Sequence, residues 1–339
     1  MQEIALNNYE LTGLLGTGAD YEVRSAKAIG GDRRVVLKRP IPQVITRNMH
    51  GPVEARTSAI IDTYKDLYAS TSTLCPLLGY TSRSNHSELY QDGITQDYTV
   101  LIFEIASGIP LVGDARSRIL RVPIGIAQNL ITLFPLYQLD DDSCWSVQTQ
   151  LLETEEQFYE SGRILLDLSP QNIYYRPSTG KITIIDLGDQ IMVGDERVDN
   201  RGRKRDIYDF YLEVLKFYTI SADPPDTIDG YKDPYGLRPI IGLEQELDDM
   251  VRNIGLPQLS DSRAKLDIIN KIRGFEYNYF ADFKLDLTEY LQEVRIRYRD
   301  HHELSSYKGT WLESLQLLKA DHWKKYDFDA EMELSRYAE

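Results

Sequence analysis

The chain has 339 residues, 42% of them hydrophobic and 27% charged, with a formal net charge of −15. That is enough apolar material for two ordinary domains or one large two-part unit. The acidic balance argues against broad binding to nucleic acid or to an anionic membrane surface.

Cys75 and Cys144 are the two cysteines and fall in no metal-type spacing, so neither a disulfide framework nor a zinc site is expected. Met1 to Asn8 has no basic region followed by an apolar core. The apolar-leaning stretch from Ile124 to Leu139 is interrupted by Gln128, Asn129 and Pro135. No secretion signal or membrane span is therefore expected, and a reducing, cytoplasmic setting is.

Tyr9 to Leu15 reads as a strand ending in Gly16-Thr17-Gly18-Ala19-Asp20-Tyr21-Glu22-Val23, and a second strand runs on to Ala28. Two glycines let a backbone turn tightly and approach a polyphosphate with free amides. Strand on both sides, with no helix after the glycines, favours a strand–loop–strand lid over a dinucleotide fold. Arg34-Val35-Val36-Leu37-Lys38 is a further strand. Lys38 closes its apolar run and is expected at the inner face, with Arg39 as the rival cation. A buried ammonium needs a carboxylate. The helical pattern from Pro52 to Ser70 offers Glu54, and Asp62 two turns along.

Leu77 to Tyr80 reads as a short strand, Ser82 to Asp97 as loop, and Tyr98 to Glu104 as a buried strand. Ser107-Gly108-Ile109-Pro110 marks a crossover. Helical patterns follow over Ile119–Leu139 and Val147–Tyr159, the second with Val147, Leu151, Glu155 and Phe158 along one face. Asp140-Asp141-Asp142 between them reads as a solvated turn or helix cap. Next come Asp167, Asn172 and Asp186. Between the last two lie an aromatic strand at Ile173–Tyr175, turn chemistry at Pro177–Gly180, and a second strand at Lys181–Ile185. Such a hairpin brings Asn172 and Asp186 together at its mouth, where two oxygen-bearing side chains suit a hard cation such as Mg²⁺. Further helices are expected near 243–254, 262–273, 286–299 and 307–324. Arg201-Gly202-Arg203-Lys204-Arg205 is the densest basic run in the chain.

Asp167-Leu168-Ser169-Pro170-Gln171-Asn172 and Asp186-Leu187-Gly188 resemble the catalytic and metal-binding loops of the protein kinase superfamily. The glycine loop, the lysine strand and the Tyr98–Glu104 strand stand upstream in that family's order, so the resemblance spans about residues 9 to 220. It implies a two-lobed α+β fold. Residues 1–106 would form a small β-rich nucleotide-binding lobe, and 107–339 a mainly helical lobe with a helical C-terminal extension.

In that scheme Gly16, Gly18 and Lys38 hold the phosphates of ATP, Val23 packs on adenine, and Phe103 flanks the adenine pocket. Glu104, Ile105 and Ala106 bond the base through backbone groups, and Glu54 braces Lys38. Asn172 and Asp186 hold Mg²⁺, and Asp167 orients and deprotonates an acceptor hydroxyl. The chain departs from the family at Tyr21 for the third glycine, at Leu165-Leu166 for a His-Arg pair, and at Ser169 for a cation. Its segment after Asp186 is short, with no Ala-Pro-Glu before Asp206, which opens a stretch at 206–215 that resembles the central helix of the family's large lobe.

The implied activity is an atypical, bacterial-type serine/threonine protein kinase. A small-molecule kinase of the same fold and a non-catalytic scaffold for a protein partner are the alternatives. The basic run at 201–205 is equally readable as a site for an acidic or phosphorylated partner and as a solvated loop.

Overall fold

The structure is a computed structural model that describes residues 2–67, 70–110, 141–165, 172–195, 262–299 and 326–329, with a few isolated positions besides. The chain divides into two compact units. One comprises Met1–Ser107, Thr183–Asp189 and Lys325–Asp327; the other comprises Gly108–Ile182, Gln190–Lys324 and Phe328–Glu339. Together they make a mixed α+β protein, with the main sheet in the first unit and the two 20-residue helices in the second.

The first unit is built on six strands: β1 (Gln2–Glu3), β2 (Tyr9–Thr17), β3 (Tyr21–Ala28), β4 (Arg34–Pro40), β5 (Leu77–Tyr80) and β6 (Leu101–Phe103). They hydrogen-bond in the order β1-β5-β6-β4-β3-β2. Only the short β1–β5 pairing is parallel among them. Cross-strand register puts Val23 opposite Lys38 and Glu22 opposite Arg39. Because successive strand residues face opposite sides, Tyr21, Val23 and Lys38 share one face and Glu22, Leu37 and Arg39 the other.

On the second face Val35, Leu37 and Ala26 pack with Leu6, Ile45, Tyr90, Tyr98, Val100 and Ile102 into a buried core. Two short helices serve the unit, α1 (Pro42–Thr46) and α3 (Ser87–Tyr90), the latter inside a stretch that reads as loop from sequence. Between them α2 (Gly51–Leu67) buries Val53, Thr57, Ile60, Ile61, Tyr64 and Leu67, a stripe at helical spacing. The Tyr98–Glu104 run yields only the three-residue β6. Tyr98 and Val100 are buried without joining it, bonding instead to Ser84 and Thr81.

The second unit contains β7 (Ile109–Pro110), β8 (Arg163–Leu165), β9 (Ile173–Arg176), β10 (Lys181–Ile184), β11 (Gln190–Met192), β12 (Arg197–Val198) and β13 (Lys204–Arg205), the end of β10 running on into the first unit. They form a β10-β9-β7 sheet and the pairs β11-β8 and β12-β13. Its described helices are α4 (Asp141–Glu160), α5 (Arg263–Arg273) and α6 (Phe280–Arg299). The face carrying Val147, Leu151, Glu155 and Phe158 is buried along its length. Lys284 of α6 reaches Glu156 of α4 at 2.5 Å. Tyr211 packs on Phe283 with ring centroids 4.7 Å apart. The expected helices at 119–139, 243–254 and 307–324, and all but isolated residues of 206–215, lie outside the described residues. Among the described residues no helix is long and apolar enough to cross a membrane.

Two glycines are fixed by geometry. Gly108, at φ +93°, lies so close to the backbone that a Cβ would sit 2.3 Å from the Tyr175 carbonyl oxygen. Gly180, at φ +64°, closes the β9–β10 turn, its N–H donating to the Arg176 carbonyl at 2.9 Å.

Candidate active site

The β2–β3 hairpin carries the glycine loop. Gly16 pairs with Val23 inside it, and the Gly18 N–H donates to the Tyr21 carbonyl at 2.9 Å. Sequence reading expects this amide to be free for a phosphate; the structure spends it on closing the turn. Neither glycine has a positive φ. A side chain at Gly16 would meet open space, so what glycine keeps there is room rather than conformation.

Lys38 is buried at 7% exposure on the face shared with Tyr21 and Val23. Its ammonium donates to Asp186 Oδ1 at 2.5 Å, joining residues 148 positions apart in the chain. Asp186 sits in the left-handed region at φ +62°, a conformation that aspartate tolerates better than most residues. The Gly188 N–H also donates to Oδ1, at 3.2 Å. Both contacts use Oδ1, and the Asp186 side chain keeps 38% exposure. Two strand-type backbone bonds fix the segment just before it, Cys75 N–H to the Ile184 carbonyl at 2.9 Å and Ile184 N–H to Thr73 at 2.7 Å.

The expected brace for Lys38 is corrected by the structure. Glu54 accepts from the Thr99 N–H at 3.0 Å and from the Thr99 hydroxyl at 2.8 Å, so both its oxygens serve the chain ahead of β6. Asp62 pairs with Lys65 one turn along α2 at 2.9 Å. Neither lies on the buried stripe of α2. The residue of that stripe that joins the surroundings of Lys38 is Thr57, which bonds the Tyr21 hydroxyl.

The Tyr21 ring lies under the Lys38 ammonium, 4.3 Å from Nζ to the ring centroid. Its hydroxyl bonds the Val53 carbonyl at 3.2 Å and Thr57 Oγ1 at 3.0 Å. Burial pushes the Tyr21 phenol up to about 12, so it stays neutral at any physiological pH. At the tip of the same hairpin, Asp20 pairs with Arg56 of α2.

Arg39 is buried at 1% on the opposite face. It bonds Glu22 at 2.8 Å and Asp92 at 2.6 Å and stacks on Tyr90 at 3.6 Å. Burial alone would raise the Glu22 carboxyl, but hydrogen bonds and charge from Arg24 and Arg39 outweigh it and hold the pKa below the usual range.

At the start of the 104–106 segment, the Glu104 N–H donates to the Pro76 carbonyl at 2.9 Å and its carbonyl accepts from the Cys75 thiol at 3.4 Å. The Glu104 amide is therefore committed within the chain, and its side chain pairs with Arg33. Ile105 is half-buried and Ala106 buried. Asn172 is half-buried at the head of β9, in the second unit. The hairpin that follows is clamped from α4, where the Gln150 amide donates to the Gly180 carbonyl at 2.8 Å and Ser146 to the same oxygen at 3.1 Å. The buried Glu333 carboxylate accepts from the Ser178 N–H at 2.8 Å. Asp167 and Arg201 to Arg203 lie outside the described residues.

Among the described residues no three His, Cys, Asp or Glu side chains cluster as a metal cage. Mg²⁺ needs none: it keeps waters and phosphate oxygens as ligands and takes one or two protein oxygens. A half-exposed carboxylate such as Asp186 fits that donor set, and an adjacent lysine fits a phosphate.

No family model matches the chain, and no curated protein sequence does. Among solved structures it is similar to the Cydia pomonella granulovirus kinase PK-1, at 14% identity and a TM-score of 0.49, over 80% of this chain and 89% of that one. A likeness at that level carries no argument about residues or chemistry.

Proposed function

We propose that the chain is an ATP- and Mg²⁺-dependent phosphotransferase, an atypical serine/threonine kinase that moves the γ-phosphoryl group of ATP to a hydroxyl. The observation that supports it is the Lys38–Asp186 pair: a buried strand lysine and a loop carboxylate 148 residues apart meet at 2.5 Å, beside a glycine hairpin. In this reading Lys38 positions the phosphates and Gly16 leaves them room. Asp167 orients and deprotonates the acceptor, and Asn172 and Asp186 are the protein ligands for Mg²⁺. Mg²⁺, when bound, neutralises charge on the transferred group. Catalysis then rests on positioning and electrostatics rather than covalent chemistry. The basic run at 201–205 would draw an acidic or phosphorylated acceptor, whether a protein or a small molecule.

A scaffold reading is favoured by one observation, the Gly18 amide being bonded within its own turn. Titration with Mg-ATP and a radiolabel transfer assay separate the two. Asp186→Ala should abolish Mg²⁺-dependent ATP binding, whereas Asp167→Ala should bind and not turn over. Equal turnover by Asp167→Ala and the unmodified chain would exclude the proposed chemistry, and ATP binding with no transfer to any protein or metabolite would favour the scaffold.

A further inference from the structure

We infer that Tyr21 is the positioning residue for Lys38, taking the role that an acidic side chain on α2 would otherwise fill; the inference rests on the phosphotransfer reading above. Three observations within the first unit carry it. The Lys38 ammonium lies over the Tyr21 ring at 4.3 Å. The Tyr21 hydroxyl is fastened to α2 at Val53 and Thr57. The two α2 carboxylates that the sequence offers to Lys38 are engaged elsewhere, Glu54 with Thr99 and Asp62 with Lys65.

A cation held over an aromatic face is attracted by the ring's quadrupole, and more strongly where water is excluded. Both groups here are buried, Tyr21 at 6% and Lys38 at 7% exposure. The ring has no charge to neutralise the ammonium. It orients the cation without adding a second negative charge, and Asp186 is the sole carboxylate on Lys38 among the described residues. Because Tyr21 begins β3 immediately after the glycine turn, the same side chain ties that turn to α2. The Asp20–Arg56 pair makes a second tie at the hairpin tip. These contacts join α2, the glycine hairpin and Lys38 through one side chain and its neighbour.

The experiment compares the full chain with Tyr21→Phe, Tyr21→Leu and the double variant Tyr21→Leu/Thr57→Glu, reading kcat, KM for Mg-ATP and the unfolding midpoint. Tyr21→Phe keeps the ring but frees it from α2, and its kcat/KM should fall between those of the unmodified chain and Tyr21→Leu. Tyr21→Leu should lose about tenfold or more, chiefly through KM. Adding Thr57→Glu should recover most of that loss by placing a carboxylate beside the space that the Tyr21 ring leaves.

A role in packing alone predicts the reverse for the double variant, since an unpaired buried carboxylate only destabilises. A second measurement does not need turnover. In a thermal cycle of Tyr21→Leu, Lys38→Met and both together, the two changes should be non-additive. Additive unfolding shifts, or an active Tyr21→Leu protein with unchanged KM, would overturn the Tyr21 assignment alone. Absence of ATP binding and turnover in the unmodified chain would overturn the phosphotransfer reading, and the positioning role with it.

Discussion

Lys38 and Arg39 stand next to each other in β4, and strand alternation sends their side chains to opposite faces of the sheet. Arg39 is enclosed by Glu22, Asp92, Tyr98 and the Tyr90 ring at 1% exposure. Removing one member of such a network leaves buried charges without partners, at about 3–5 kcal/mol. Lys38 has one carboxylate, itself 38% exposed and able to rehydrate when the lysine is gone. Arg39→Met should therefore lower the unfolding midpoint strongly, while Lys38→Met, which loses the Tyr21 contact and one half-exposed ion pair, should lower it much less and reduce turnover by about a hundredfold or more. Calorimetry and a phosphotransfer assay on the two proteins check the pair, and similar unfolding midpoints would mean that the buried network contributes no stability. The sequence marks both cations but assigns the inner one only through the apolar run that Lys38 closes. It gives no sign that the Tyr21 ring, at a position where the resembled family has glycine, would lie under the lysine while its hydroxyl reaches α2, because that arrangement depends on where α2 is packed.

Elements with strong local patterning were legible: the hairpin of β9 and β10, the buried face of α4, and the glycine hairpin with the strand after it. Pairings chosen by distant partners were not. Nothing in Gln2–Glu3 announces a parallel pairing with β5, and α3 is a single turn held by its buried Tyr90 inside a polar stretch. Glu54 was expected to serve Lys38 because it begins α2, yet the first turn of that helix faces Thr99. Helix α5 carries a feature no pattern discloses. Lys265 in its first turn is 0% exposed, and its ammonium has no hydrogen-bond partner among the described residues. Burial pushes its pKa down to about 8, from 10.5. The unfolded chain thus binds this proton up to about 10.5 and the folded chain only up to about 8. The group's penalty is constant below pH 8, shrinks as pH rises from 8 to 10.5, and vanishes above. Lys265→Met should raise the unfolding midpoint by several degrees below pH 8 and by progressively less up to pH 10.5. A gain that persists undiminished above pH 10.5 would show that better packing, not relief of a buried charge, is the cause.

At the scale of the whole molecule, the first unit is completed by chain that arrives late. Thr183–Asp189 belongs to it although the intervening residues from Gly108 to Ile182 form part of the other unit. The join is made by Ile184, 1% exposed, through its backbone bonds to Thr73 and Cys75 and its bridge to Leu74. Asp186 follows two residues later, so the bridge that completes the unit also delivers the carboxylate to Lys38. Contacts of such long sequence separation form late and carry a large ordering cost, which makes this segment a point where stability and function are coupled. Ile184→Ala should cost about 2–5 kcal/mol as a buried truncation. It should also weaken Mg-ATP binding, because the cavity releases the segment that holds Asp186. Val100→Ala, a truncation in the core on the other face of the sheet, provides the comparison: it should lower stability and leave nucleotide affinity nearly intact. Measuring unfolding midpoints and Mg-ATP dissociation constants for both proteins decides the matter. Equal losses of affinity in the two would mean that Asp186 is placed by the general stability of the unit and not by the Ile184 bridge.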